Sequence, residues 1–454
     1  MADARTRART RQATRGPKVD PQRPADPTIQ EIERTSNPLQ RALKVLGPGL
    51  VTGASDDDPS GIGTYAQAGA QYGFATLWAT LAMFPLMSAV QYICAKIGLV
   101  NGRGLAGVLR EHYPRWVLYP AVGAVLVANT VNAGADLGAI AAAINLLAPI
   151  PILVLVAPVS AAILALQLFG SYRLIERVFK WLCLALLAYV AAALFARPDL
   201  GAVLRGTFIP TIRLDAGFIG ILVALLGTTI SPYLFFWQAS QEVEEQVSIG
   251  RKRLWQRQGA TKKELRFALW DTLAGMGLSE IVAYFIIVAT GATLFTSGHT
   301  TIGSATDAAQ ALRPVAGDAA TLLLAVALIG AGMLAVPVLT GAAAYALAET
   351  FRWRAGLDEK PSQAREFYGV IVAATVIGML IDFAGINPID ALVLTAVLNG
   401  LLAPPLLVLV MLASNDRDIM GARTNGRTLN ALGWLTTAVM SVAAIALLVT
   451  TILG

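Results

Sequence analysis

Three consecutive carboxylates, Asp56, Asp57 and Asp58, followed at once by Pro59, stand inside an apolar stretch that begins near Leu43 and runs past Tyr65. Burying one unpaired carboxylate at the centre of a membrane costs about 2.5–3.5 kcal/mol on insertion scales, so such a triplet implies a cation partner. At an interfacial helix end the triplet would merely be hydrated; the place of Asp58 near the midpoint of the run argues against that. A second polar interruption, GTTISPYLFF at 227–236, offers the hydroxyls of Thr228, Thr229 and Ser231. It also offers carbonyls freed because Pro232 has no N–H to donate. Neither interruption contains Met, Cys or His, so every donor is oxygen. Hard oxygen donors suit magnesium, manganese or calcium better than thioether-preferring ions. One central anion among neutral oxygens would hold a partly hydrated divalent ion weakly enough to release it.

Other polar residues fall in apolar runs with two roles open to each. Asp136, Asp271, Glu280 and Asp382 either tie helices together or line an ion path. Asn399 either faces a cavity or packs, and Tyr233 and Trp237 either narrow a vestibule or pack. The two histidines, His112 and His299, fall in loops. Cys94 and Cys183 sit in apolar stretches without CxxC spacing and read as ordinary buried small residues. There is no P-loop and no nucleophile–base arrangement, so neither nucleotide-driven work nor catalysis is expected. Energy would come from ion gradients and the membrane potential, the latter worth about 2.3 kcal/mol per charge per 100 mV.

The elements that must position these residues are membrane helices. A chain of 454 residues that is 56% hydrophobic and 14% charged lies outside the soluble range. Its apolar runs have the roughly twenty-residue length that crosses about 30 Å of hydrocarbon. They predict eleven spans, near 43–73, 74–99, 116–147, 150–170, 173–196, 216–240, 268–296, 317–350, 366–384, 388–413 and 428–453. Basic residues concentrate after even-numbered spans, which places those loops and the amino terminus in the cytoplasm and the carboxyl terminus outside. The net charge of +6 is spread over short segments, which argues for the bilayer and against nucleic acid as its partner. Residues 1–42, rich in Arg, Pro and Asp, predict a disordered cytoplasmic tail. The transporter-like core is expected over 43–413, as halves 43–196 and 216–413, with a loop and one more helix over 414–454. The first and sixth spans carry the two proline-containing breaks, at matching places in two five-helix halves. That is the pattern of an inverted repeat with a central site built from unwound backbone.

The residues resemble the NRAMP metal transporters from about Gly47 to Val410. GPGLVTGASDDDPSG is similar to that family's first helix, with Asp58-Pro59-Ser60-Gly61 at its DPGN motif. QYICAKIGLVNGRGLAGVLREHYP at 91–114 resembles its second helix and following loop, and LTGAAAYALAETF at 339–351 its eighth helix. The resemblance implies an all-α LeuT-type fold and a divalent-metal site. In the family that site takes the Asp and Asn of DPGN with a carbonyl and a Met thioether from an AxxMPH stretch. Here Gly61 stands for the Asn, Ser231 for the Met and Tyr233 for the His. On the third helix Asp136 is kept while Ala139 replaces a Glu; Gln238 takes a helix-six His position and Ala396 that of a helix-ten Gln. Losing the thioether removes the means of favouring manganese, iron or cadmium over magnesium and calcium. The pattern is closer to the NRAMP-related magnesium transporters.

The expectation is therefore an importer of magnesium or manganese working by alternating access, with no resident cofactor and without tight proton coupling. Asp58, Gly61, Thr228 and Ser231 are its expected metal residues; Asp56, Asp57, Tyr233, Asp136 and Asn399 are expected along the ion path. A proton-coupled manganese or iron importer and an amino-acid or organic-solute symporter of the same fold are the alternatives. Three acidic residues at the break disfavour an anionic substrate.

Overall fold

The structure, a computed structural model, describes residues 16–34, 36–37, 47–170, 190–191, 193–303 and 320–453. Its described residues are helical, with no strand among them. In chain order the main helices are α1 (Pro27–Arg34), α2 (Pro48–Asp56), α3 (Pro59–Tyr72), α4 (Leu77–Asn101) and α5 (Leu105–His112). Then follow α6 (Arg115–Leu147), α7 (Ile152–Phe169), α8 (Leu200–Phe208), α9 (Ala216–Thr229) and α10 (Pro232–Ser248). The last are α11 (Lys262–Thr290, continued by a π-helical turn to Phe295), α12 (Ala320–Phe351), α13 (Arg365–Asp382), α14 (Pro388–Asn415) and α15 (Arg427–Leu453).

Eight helices among the described residues are long and apolar enough to cross a membrane, α9 and α10 counting as one. The broken α2–α3 span and α13 occupy the places of the first and ninth predicted spans. Most of the fifth, 173–196, and Cys183 with it, lies outside the described residues. The breaks follow from proline. With no N–H to donate, Pro59 and Pro232 each sit at the start of a new half-helix, and the residues before them turn extended: Asp58 at ψ 168° and Ser231 at ψ 131°.

Both broken spans are central. In the α9–α10 span 83% of the most apolar window is buried inside protein, against 22% in α7 and in α15, which form the lipid-facing rim. α3 packs on α6, α9, α11 and α14. Two glycine contacts bring backbones together there. Gly53 of α2 lies against the backbone of Gly275 on α11, and Gly227 of α9 against Ala396 and Gly400 of α14, with no room for a Cβ at either.

Buried carboxylates fix helix starts. Asp271 of α11 accepts from the N–H groups of Gly47 (2.7 Å), Gly49 (2.6 Å) and Leu50 (3.2 Å), at the positive end of α2. Glu349 of α12 does the same for α5, through Gly104 and Gly107 at 2.9 Å each. Of the two roles open to Asp271, the observed one is tying helices.

Five segments run differently from the sequence pattern. α10 continues to Ser248 although its last turns are acidic, because Glu242 and Gln246 are buried against other helices. α11 starts at Lys262, earlier than its apolar run, on a capping box of Thr261 and Glu264. The short α5 and α8 lie in stretches expected to be loops. Within the segment expected to lack fixed structure, residues 27–34 form α1 on an Asp26 cap, with Ile32 3% exposed. Arg23 and Arg251 there share the Glu264 carboxylate at 2.8 Å each, and Arg251 donates to the Pro24 carbonyl.

Candidate functional site

The two breaks face each other in the core. Asp58 caps α3: its Oδ1 accepts from Gly61 N–H at 2.6 Å and from the Ser60 hydroxyl at 2.7 Å. Its Oδ2 accepts from Asn132 Nδ2 of α6 at 3.0 Å. A carboxylate offers about four acceptor positions, so these three bonds leave one lone-pair direction of Oδ2 free. The side chain is 2% exposed.

The second break stands beside it. Thr228 Oγ1 lies 3.5 Å from Ser60 Oγ, and a Cβ on Gly61 would meet that Thr228 oxygen at 3.3 Å and the Asp56 carbonyl at 3.1 Å. Glycine at 61 thus lets the two breaks approach closely, where the Cβ of Asn would crowd both oxygens. Ser231 turns its hydroxyl back on its own helix, donating to Gly227 O at 2.9 Å and Thr228 O at 2.5 Å. It therefore meets carbonyls freed by Pro232 and keeps its own lone pairs for another donor. Tyr233 donates to the Ser55 carbonyl at 2.9 Å, and Tyr65 OH pairs with Thr229 Oγ1 at 3.1 Å, so two hydroxyls lash the breaks together. The half-helices α2 and α9 end here, and their carbonyl ends are the negative poles of helix dipoles, which favour a cation.

The other expected residues divide into three groups. Asp136, four residues after Asn132 on α6, is fully buried; the backbone N–H of Ser60 acts on its carboxylate, and Asp58 and Asp382 are its charged neighbours. Asp382 enters from α13 through a notch left by Gly138. Asp56 and Asp57 take the opposite direction, both toward Ser279 of α11, at 3.0 and 3.1 Å. Asn399 is 2% exposed on α14 with Nδ2 unpartnered, one residue before the Gly400 that abuts α9; no hydrogen bond joins it to Asp58. Trp237 packs edge-on against Tyr345. Cys94 is buried and unpaired.

Sequence reasoning missed Asn132, Ser60 and Ser279. The signal for Asn132 was present: Asn132 and Asp136, spaced i and i+4, put two polar groups on one face of an otherwise apolar span.

Among the described residues no three His, Cys, Asp or Glu side chains converge closely enough to hold a metal by themselves. The arrangement offers oxygen alone: one remaining direction of the Asp58 carboxylate, the hydroxyls of Thr228 and Ser231, and the carbonyl ends of α2 and α9.

Known proteins share this architecture. The family described as natural resistance-associated macrophage protein-like (Nramp) matches residues 49–450. The divalent metal cation transporter MntH of Deinococcus radiodurans is 28% identical over 439 residues, covering 93% of this chain and 95% of that protein. Among solved structures, the manganese transporter of Eremococcus coleocola, crystallised with an aromatic bis-isothiourea compound, superposes at a TM-score of 0.73 and 18% identity. The alignment covers 92% of this chain and 88% of that one. Mhp1, a nucleobase-cation-symport-1 family transporter in a closed conformation with bromovinylhydantoin bound, superposes at 0.55 and 16% identity, over 89% of this chain and 91% of that one. At these identities the structures speak for the fold.

Proposed function

The chain belongs to the Nramp family, and from that premise we propose that it imports magnesium or manganese by alternating access, driven by the membrane potential and without tight proton coupling. The family is one of transporters rather than enzymes, its members relevant here are divalent metal transporters, and this chain is a multi-pass membrane protein.

The observation that carries the finer reading is the donor set at the breaks. Asp58 contributes one free carboxylate direction; Thr228, Ser231 and the carbonyls beside Gly61 are neutral oxygens. Magnesium binds through one or two carboxylates and keeps several waters, which this set permits, whereas no thioether is present to reward a softer ion. Gly61, where a longer side chain would crowd Thr228 and the Asp56 carbonyl, keeps those two oxygens close to Asp58. Asp136 supplies a second negative charge on the path, Tyr233 closes the two breaks over the ion, and Asn399 lies on the helix against the second break. Alternating access would move the halves 43–196 and 216–413 about this site, with the amino terminus in the cytoplasm and the carboxyl terminus outside.

The test is influx of magnesium and of manganese into proteoliposomes at an imposed potential, with internal pH recorded, for the wild type and Asp58→Ala. Uptake of both ions without acidification, lost in the variant, is the expected result. Manganese-only uptake accompanied by proton entry would overturn both the selectivity and the uncoupled mechanism.

A further inference from the structure

Asp56 and Asp57 do not join Asp58. They leave the first break where α2 packs on α11, and there they take hydrogen bonds from Ser279, with Glu280 their charged neighbour on the same helix. We propose that Asp56, Asp57 and Glu280, with Ser279, form a second cation position that takes a partly hydrated divalent ion alongside the one assigned to Asp58. The choice of a divalent ion rests on the function proposed above; the position itself rests on the following geometry.

The three carboxylates are 0%, 1% and 6% exposed. The charged groups that act on them are one another and Asp58, all negative, and none forms an ion pair with Lys, Arg or His among the described residues. Among the described residues Asp56 Oδ1 and both oxygens of Glu280 have no hydrogen-bond partner. Glu280 also borders a cavity of about 300 Å³ whose other lining residues, among them Leu81, Phe84, Thr207 and Tyr284, carry no positive charge. Charges so placed are tolerated inside a membrane where a cation compensates them.

Ser279 ties the two carboxylates to one point: its hydroxyl lies 3.0 Å from Asp56 Oδ2 and 3.1 Å from Asp57 Oδ1, and its own lone pairs stay open to a cation drawn to the pair. The pocket is also built rigidly: the Gly53–Gly275 backbone contact fixes α2 on α11 one helical turn before Ser279. Among the described residues no three acidic side chains converge for dry chelation, so an ion at this position would keep water and be held through one or two carboxylates, the manner of magnesium-like ions. A monovalent ion would leave most of the negative charge uncompensated.

The test is to count bound Mn2+ by electron paramagnetic resonance on the full chain in lipid nanodiscs, for the wild type, Glu280→Gln and Asp58→Ala. Two ions per chain in the wild type, falling to one in each variant, is the expected result. The Asp58-dependent ion retained in Glu280→Gln also shows that this variant is folded. One ion in the wild type, or two ions unchanged in Glu280→Gln, would overturn the proposal. Selective displacement of the Glu280-dependent ion by millimolar sodium would overturn its divalent assignment. If Asp58→Ala keeps both ions while Glu280→Gln loses one, the second position stands and the Asp58 assignment falls.

Discussion

At the scale of single residues, the proposed chemistry rests on a carboxylate that is positioned in advance of any ion. Asp58 is held by the first turn of its own helix and by Asn132, so it loses little freedom when it binds. Asn132 donates to the Oδ2 oxygen that retains a free direction. A hydrogen bond to a charged group contributes about 1.5–3 kcal/mol, and 1.4 kcal/mol is a factor of ten. Asn132→Ala should therefore raise the half-saturating magnesium concentration for uptake about tenfold or more, while Asn132→Asp places a like charge against Asp58 and should do worse. Equal uptake by wild type and Asn132→Ala at sub-saturating magnesium would show that Asn132 only packs. Asp58 was legible in the sequence because a charge in an apolar run is conspicuous on its own. For Asn132 the sequence showed only a shared helix face with Asp136; its pairing with Asp58, 74 residues away, was not legible, because Asn in a span has many uses. Ser279, more than 220 residues from the carboxylates it meets, was hidden for the same reason.

At the scale of elements, what the sequence showed were the events that backbone chemistry forces. Pro59 and Pro232 had to start helices, and the spans had to be about as long as a bilayer is thick. Elements settled by tertiary contact escaped: α5 has eight residues and α8 nine, too short for an apolar period to show, and α10 runs on through glutamates because its neighbours bury them. The same dependence on neighbours yields two predictions. Asp271 satisfies three N–H groups at the start of α2; leaving buried donors unsatisfied costs about 1–3 kcal/mol each. Asp271→Ala should therefore lower the melting temperature in detergent sharply, and Asp271→Asn, which keeps one acceptor oxygen, should lower it less. Identical melting of the two variants would mean that the charge, not the cap, matters. Arg251, 2% exposed, pairs with Glu264 and holds the chain before α1 through Pro24; breaking a buried pair costs about 3–5 kcal/mol. Arg251→Ala should release residues 16–34 to proteolysis while the apolar spans stay protected, and limited digestion followed by mass spectrometry would report it.

At the scale of the whole molecule, the chain is basic, yet its interior is acidic. Its formal charge is +6, while Asp56, Asp57, Asp58, Asp136 and Glu280 gather within the central helices at 6% exposure or less. The elements carrying them, α2, α3, α6 and α11, belong to both proposed halves, so their mutual repulsion acts across the contact on which alternating access depends. A divalent cation that binds this folded arrangement and not the unfolded chain stabilises it by mass action, by about 2.7 kcal/mol at a concentration one hundred times its Kd. The melting temperature of the detergent-solubilised protein should accordingly rise with added magnesium or manganese and fall when a chelator removes them. Sodium chloride at matched ionic strength should do much less, because these charges are buried and salt screens mainly exposed ones. Asp58→Ala should keep only the part of the rise that depends on Glu280, and the combined Asp58→Ala and Glu280→Gln variant none of it. If melting is insensitive to divalent ions, the interior charge is already compensated by other means, and neither cation position stabilises the fold. A rise that persists undiminished in the combined variant would instead place the stabilising ion elsewhere, since both groups argued here to draw it would be gone.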